Sequence, residues 1–161
     1  MTPSLFIELA LTPALRLLPP EMDSAAARAM IVAVSLQESR IKHRRQIGGP
    51  ARGYAQFEKG GGVLGVLTHP ASKDHAREVC AALDYEPTTD AVYVAIEHND
   101  ILACCFARLL LWTHPEPLPG QNEADAAWDY YEAVWRPGRP NPSSWIAFWH
   151  QGWVEVWKGG S

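Results

Sequence analysis

The stretch Ala25-Ala26-Ala27-Arg28-Ala29-Met30-Ile31-Val32-Ala33-Val34-Ser35-Leu36 constrains this chain more than any other part of it. Asp23 or Ser24 can cap it, and the pattern predicts a helix running to about Ile41. Its apolar residues fall on nearly every face instead of on one stripe. A helix that is oily all round must be covered on all sides, by protein or by lipid. Neither this run nor any other approaches the roughly 18 uninterrupted apolar residues of a bilayer span. The expectation is therefore a central, buried helix around which the remaining elements are assembled.

The chain has 161 residues, 47% of them hydrophobic and 20% charged. That is enough for one domain, residues 1–161, burying about two thirds of the surface its unfolded form would expose. At the start, Leu5-Phe6-Ile7-Glu8-Leu9-Ala10-Leu11 has no preceding Lys or Arg and is interrupted by Glu8, with Pro13 and Pro19-Pro20 close behind. It reads as a short packed helix and not as a secretion signal. Gly48 to Gly65 holds seven glycines around Tyr54-Ala55-Gln56-Phe57, which predicts tight turns or a small β-hairpin. Helical patterns resume at Ala71 to Leu83, Asp90 to Trp112 and Glu123 to Val134, and a last helix is expected at Ser143 to Trp157. The fold class is mainly α (α+β), with no strand-rich half that could make a parallel sheet. In the last helix Trp145, Trp149, Trp153 and Trp157 recur every four residues. Trp145 and Trp149 are expected in the core, and Trp153 and Trp157 at the surface.

Several function classes are disfavoured. A net charge of -4 gives no general attraction to nucleic acid or anionic membranes. Lys42-His43-Arg44-Arg45 is the local exception, either a phosphate or carboxylate site or simply a basic end to the helix. Cys80, Cys104 and Cys105 form neither a disulfide framework nor a zinc pattern, so reduced buried thiols are expected. Gly60-Gly61-Gly62-Val63-Leu64-Gly65 formally satisfies G-x-G-x-x-G, but it lacks the strand and helix context of a dinucleotide site. Glu97-His98-Asn99-Asp100 is the densest set of ligand-type residues, yet neighbouring helical positions point apart. No metal and no cofactor is expected.

The residue best suited to chemistry is Glu38. It lies near the end of the most hydrophobic helix, on the side of Val34 and Ile31. Burial disfavours a charged carboxylate, and a helix C-terminus adds partial negative charge, so both raise the pKa toward the range of a general acid. A salt bridge from Arg44 or Arg45 would work the other way, and the residues alone leave that alternative open.

Gln37-Glu38-Ser39 closes this helix, and 18 positions after Glu38 comes Gln56 within Gly53-Tyr54-Ala55-Gln56-Phe57. An acid at a helix end followed by a glycine-bounded amide resembles the lysozyme-like superfamily, especially soluble-type lytic transglycosylases and their phage-borne relatives. The resemblance covers roughly residues 24 to 66. It implies a lysozyme-like fold with Glu38 as catalytic acid/base. Ser39 would be the hydroxyl beside it, Gly53 a point of close backbone approach to sugar, and Tyr54 and Gln56 parts of the glycan-binding segment. The family's downstream tyrosine finds its nearest equivalent in Ala126-Ala127-Trp128-Asp129-Tyr130-Tyr131-Glu132-Ala133, where either Tyr130 or Tyr131 could line the cleft.

The implied reaction cleaves peptidoglycan between N-acetylmuramic acid and N-acetylglucosamine. Glu38 protonates the leaving oxygen, then takes the proton of the muramoyl C6 hydroxyl as a 1,6-anhydro ring closes. Hydrolysis would need a second carboxylate, for which Glu58 is the candidate. The other alternative is a non-catalytic virion or tail component that keeps the fold as a structural or glycan-binding module. The partners implied are peptidoglycan glycan strands and other phage virion proteins. An enzyme of this kind without a signal would reach the wall in a phage virion, or from the host cytoplasm or periplasm after delivery.

Overall fold

In the computed structural model, residues 1–159 are described and the chain is mainly helical. Helix α1 (Pro3–Phe6) is capped by Thr2, runs through a π turn at Ile7–Leu11 and continues as α2 (Thr12–Leu15). This is the short packed N-terminal helix expected from the sequence, with Phe6, Ala10, Leu11, Ala14 and Leu15 buried. Helix α3 (Ala25–Ser39) starts where Ser24 Oγ accepts from the Ala27 amide at 3.1 Å, and ends where Arg40 turns left-handed. Every residue from Ala29 to Leu36 is buried. The all-round apolar pattern thus gives a central helix, as its composition requires.

Helix α9 (Trp145–Gly159) lies along α3. Gly152 permits that approach, because a Cβ there would sit 2.5 Å from the Ala29 carbonyl oxygen. The indole stripe faces inward for longer than the four-residue spacing suggests. Trp145, Trp149 and also Trp153 are buried, Trp153 at 6% exposure, and only Trp157 stands out at 55%. The expectation of an exposed Trp153 is corrected by the closeness of α9 at Gly152, one residue away.

The segment expected as a single helix from Asp90 to Trp112 is two, α6 (Thr89–His98) and α7 (Asp100–Trp112). Asn99 is extended (φ -135°, ψ 99°), and its side chain caps α7 by accepting from the Leu102 amide at 3.0 Å. Helix α7 carries a continuous buried run from Leu102 to Leu111 and packs against α3 and α2. Cys80, Cys104 and Cys105 are free and buried, and burial pushes the Cys105 thiol up to about 12.

The glycine-rich segment departs most from expectation. No hairpin forms; Arg45–Arg52 and Arg52–Phe57 are isolated antiparallel bridges, and among the described residues there is no sheet. Past them, Lys59–Val63 makes a π turn that runs into α4 (Leu64–Thr68), seating Val63 and Val66 in the core. Helix α5 (Lys73–Ala82) follows, and α8 (Ala124–Trp135) precedes the loop that leads into α9. No helix among the described residues is long and apolar enough to cross a membrane.

Candidate active site

The end of α3 is tied to the loop after it by Ser39. Its buried Oγ lies 2.6 Å from the Tyr54 carbonyl oxygen and 3.1 Å from that of Ser35, and it accepts from the Ile41 amide at 3.2 Å. The loop itself closes tightly. The Arg52 amide donates to the Phe57 carbonyl at 2.8 Å and the Phe57 amide returns to the Arg52 carbonyl at 2.7 Å. Gln56 therefore sits in a turn with φ +55°, the tight-turn form of this segment and not a strand of a hairpin. The basic run after α3 is used to fasten this loop. Arg44 pairs with Asp100 at 2.8 Å, and Arg45 pairs with Glu97, which also lies 3.7 Å from Arg52. Neither Arg44 nor Arg45 folds back onto Glu38.

A cleft of about 600 Å³ opens at this end of α3. Gln37, Glu38 and Arg40 come to it from the helix end. Gln46, Ala51, Gln56, Phe57 and Glu58 come from the loop, with Gly61 and Gly62 from the π turn. Tyr131, Val134 and Trp135 of α8 and the loop residues Arg136 to Arg139 and Asn141 complete most of the lining. The α8 wall is fixed to the loop through Trp135, whose indole Nε1 donates to the Ala55 carbonyl at 2.8 Å.

Within the cleft, the Tyr131 hydroxyl donates to Glu38 Oε1 at 2.5 Å. Among the described residues Oε2 has no protein partner. Burial raises the pKa of Glu38 above its ordinary value; the Tyr131 hydrogen bond works against this, and the nearby charge of Glu58 adds to the rise. Tyr131 is itself raised, by burial first and then by the charge and hydrogen bond of Glu38, so its hydroxyl stays protonated and can only donate when it meets the ionised acid. Its ring stacks on Trp145 at 5.1 Å and 13°, which fixes the hydroxyl from behind. The arrangement holds a carboxyl that retains its proton more firmly than an exposed one, in a space open to a ligand. That is the requirement for a general acid.

Of the residues singled out in the sequence, Glu38, Gln56 and Glu58 come together in this cleft and four others do not. Gln56 spends part of its amide on its own turn, Nε2 donating to the Gly53 carbonyl at 2.8 Å, and its Oε1 has no protein partner among the described residues. Ser39 is a buried tie between helix and loop. Gly53 is left-handed (φ +76°), and a Cβ there would meet Ile96 Cγ2 at 2.7 Å, so its glycine serves packing against α6 and not approach by a sugar. Tyr54 is buried with its ring edge-on to Phe6 and beneath the Arg44 guanidinium. Tyr130 is the wrong one of the tyrosine pair. Its hydroxyl donates to the Leu111 carbonyl at 3.0 Å, and its ring borders a separate cavity of about 340 Å³ with His114 and Glu116.

Gln37, Arg40, Arg136 and Arg139 line the cleft without having been chosen from the sequence, and Tyr131 was there only an alternative to Tyr130. For Tyr131 a signal was there to find: Trp128, Tyr131 and Trp135 recur on one face of α8, and Trp128 and Tyr131 pack on Trp145. No protein-family model, curated protein or solved structure matches this chain.

Proposed function

We propose that this chain is a peptidoglycan-cleaving enzyme with a lysozyme-like fold, and that it acts as a lytic transglycosylase with Glu38 as its general acid and base. The observation that carries this reading is the Glu38 carboxyl, half-buried at the end of a central helix, raised in pKa by that burial and held by Tyr131 inside an open cleft. Protonated Glu38 donates to the glycosidic oxygen, which departs as a hydroxyl of N-acetylglucosamine as the muramoyl C1–O bond breaks. The carboxylate so formed removes the C6 hydroxyl proton of the muramoyl residue, and the C6 oxygen closes on C1. One carboxyl group serves both transfers, and Tyr131 stabilises its charged form between them. Gln56 Oε1 is available to a sugar hydroxyl or acetamido N–H. Phage virions and lysis systems are the setting this reading supposes.

A hydrolysing variant of the same reading draws on Glu58, which shares the cleft and whose charge raises the pKa of Glu38. A carboxylate so placed could activate water across the sugar. Purified peptidoglycan distinguishes these cases. Turbidity should clear with the wild-type protein and not with Glu38→Gln, the loss being roughly 100- to 10,000-fold. Product masses then read the chemistry, since hydrolysed products contain one more water than anhydro products. An inactive wild type of intact fold would leave a glycan-binding module and overturn the enzymatic reading.

A further inference from the structure

We propose that Arg40, Arg136 and Arg139 form a carboxylate subsite at the mouth of the cleft, where they take the carboxylates that hang from a peptidoglycan strand. This rests on the muralytic reading of the same cleft and names what part of the substrate its rim would hold.

The first observation is how the arginines of this region are used. Arg44, Arg45 and Arg52 are all engaged by Asp100 or Glu97. Arg40, Arg136 and Arg139 are exposed, line the cleft, and have no carboxylate within ion-pairing distance among the described residues. In a chain of net charge -4, three unpaired guanidiniums around one opening are a local reversal of sign.

Their positions are also held. Arg40 stands over the Phe148 ring at 4.6 Å. The loop bearing Arg136 and Arg139 is pinned to α3 by Gln37, whose Nε2 donates to the Asn141 carbonyl at 2.9 Å while its Oε1 accepts from Ser144 Oγ at 2.9 Å. Arg136 follows directly on Trp135, itself bonded to Ala55. The same guanidiniums are not partners of the acid: Glu38 is influenced by Tyr131 and Glu58, and no arginine is among the groups that shift it. Unpaired cations, fixed around a cleft yet not neutralising its own carboxyl, suit a planar anion brought in by the ligand.

Two sources share that chemistry, namely the carboxylates of the stem peptide and the lactyl carboxylate freed when the peptide is removed. The test uses the full chain and the double variant Arg136→Gln/Arg139→Gln. Three probes are compared: peptide-bearing glycan strands, strands stripped by an amidase, and an uncharged chito-oligosaccharide followed by tryptophan fluorescence. The variant should raise KM on peptide-bearing strands roughly tenfold, with kcat held within about twofold, while the chito-oligosaccharide Kd stays the same. The Arg136→Lys/Arg139→Lys protein should recover part of the loss. A smaller effect on stripped strands assigns the peptide as the source, and an equal effect assigns the lactyl group. Unchanged KM on both kinds of strand, or equal weakening toward the uncharged oligosaccharide, overturns the subsite. Should the wild type turn over neither strand, the muralytic reading fails separately. Co-sedimentation with the same strands then still decides the subsite: retention lost only in the double variant supports it, and equal retention overturns it.

Discussion

Replacing Tyr131 by Phe removes one oxygen and leaves the ring that stacks on Trp145. Its consequence depends on whether Glu38 carries charge. A hydrogen bond to a charged partner contributes about 1.5–3 kcal/mol, and one between neutral groups about 0.5–1.5 kcal/mol. Tyr131 donates at 2.5 Å to Oε1, so it favours the ionised carboxylate. In the folded wild type Glu38 lies above its unfolded pKa because burial outweighs this bond. A group raised on folding contributes stability that is present below the unfolded pKa and lost as pH rises through the folded one. Deleting the O–H raises the folded pKa further, so that loss deepens and the gap between wild type and variant opens with rising pH. The gap should be about 1–1.5 kcal/mol larger at about pH 8 than at about pH 4, or roughly 2–6 °C in Tm for a chain of this size. Urea and thermal melts at the two pH values measure it, and the basic limb of the pH–rate profile on peptidoglycan should move to higher pH in the same variant. A stability gap that is equal at both pH values, or wider in acid, would refute the claim that Tyr131 stabilises the charged acid.

Removing the charge at position 58 with Glu58→Gln lowers the pKa of Glu38, because the Glu58 carboxylate now raises it; the basic limb should shift down, and under the transglycosylase reading the products stay anhydro-sugars with a rate within about tenfold of wild type. Ser39→Ala strips the buried tie between α3 and Tyr54 and should cost about 1–3 kcal/mol in denaturant melts, while kcat per folded molecule holds; a large fall in kcat at unchanged stability would return Ser39 to the chemistry. Gly152→Ala drives a methyl into the Ala29 carbonyl and should cost about 1–3 kcal/mol or more, read as a lower Tm, with no comparable effect from Ala at exposed Gly138.

What the sequence made legible is what a single helix can declare about itself. The apolar residues of α3 cover every face, so its central place follows from composition, and Glu38 at its end inherits an oily setting. The same reasoning fails where tertiary contacts decide. Glycines at 60–62 argue against a helix, yet Val63 and Val66 three residues apart both need cover, and burying them draws the chain into a π turn and α4. Asn99 reads as helical by pattern, but its side chain caps the next helix better than it continues the previous one. Tyr130 and Tyr131 are adjacent, and 100° of helix rotation separates a ring bonded to Leu111 from one bonded to Glu38. The aromatic face of Trp128, Tyr131 and Trp135, laid against Trp145, resolves which is which.

The same distinction bears on how the site is built. Glu38 is positioned by a helix whose burial is secured along its whole length, so the acid needs no local scaffold beyond Tyr131. The loop opposite sends Tyr54, Ala55 and Phe57 into the core and is fastened as well by polar devices: Ser39 and Trp135 on its backbone carbonyls, and Arg44, Arg45 and Arg52 on the carboxylates of α6 and α7. Individual surface ion pairs stabilise weakly, about 0–1 kcal/mol each. Their function here is placement: they hold the loop opposite Glu38 and turn Arg44, Arg45 and Arg52 toward α6 and α7. With those cations turned to Glu97 and Asp100, and no guanidinium of the rim bonded to Glu38, burial is the dominant influence on the acid, and a carboxyl in an open cleft holds its proton more firmly than an exposed one.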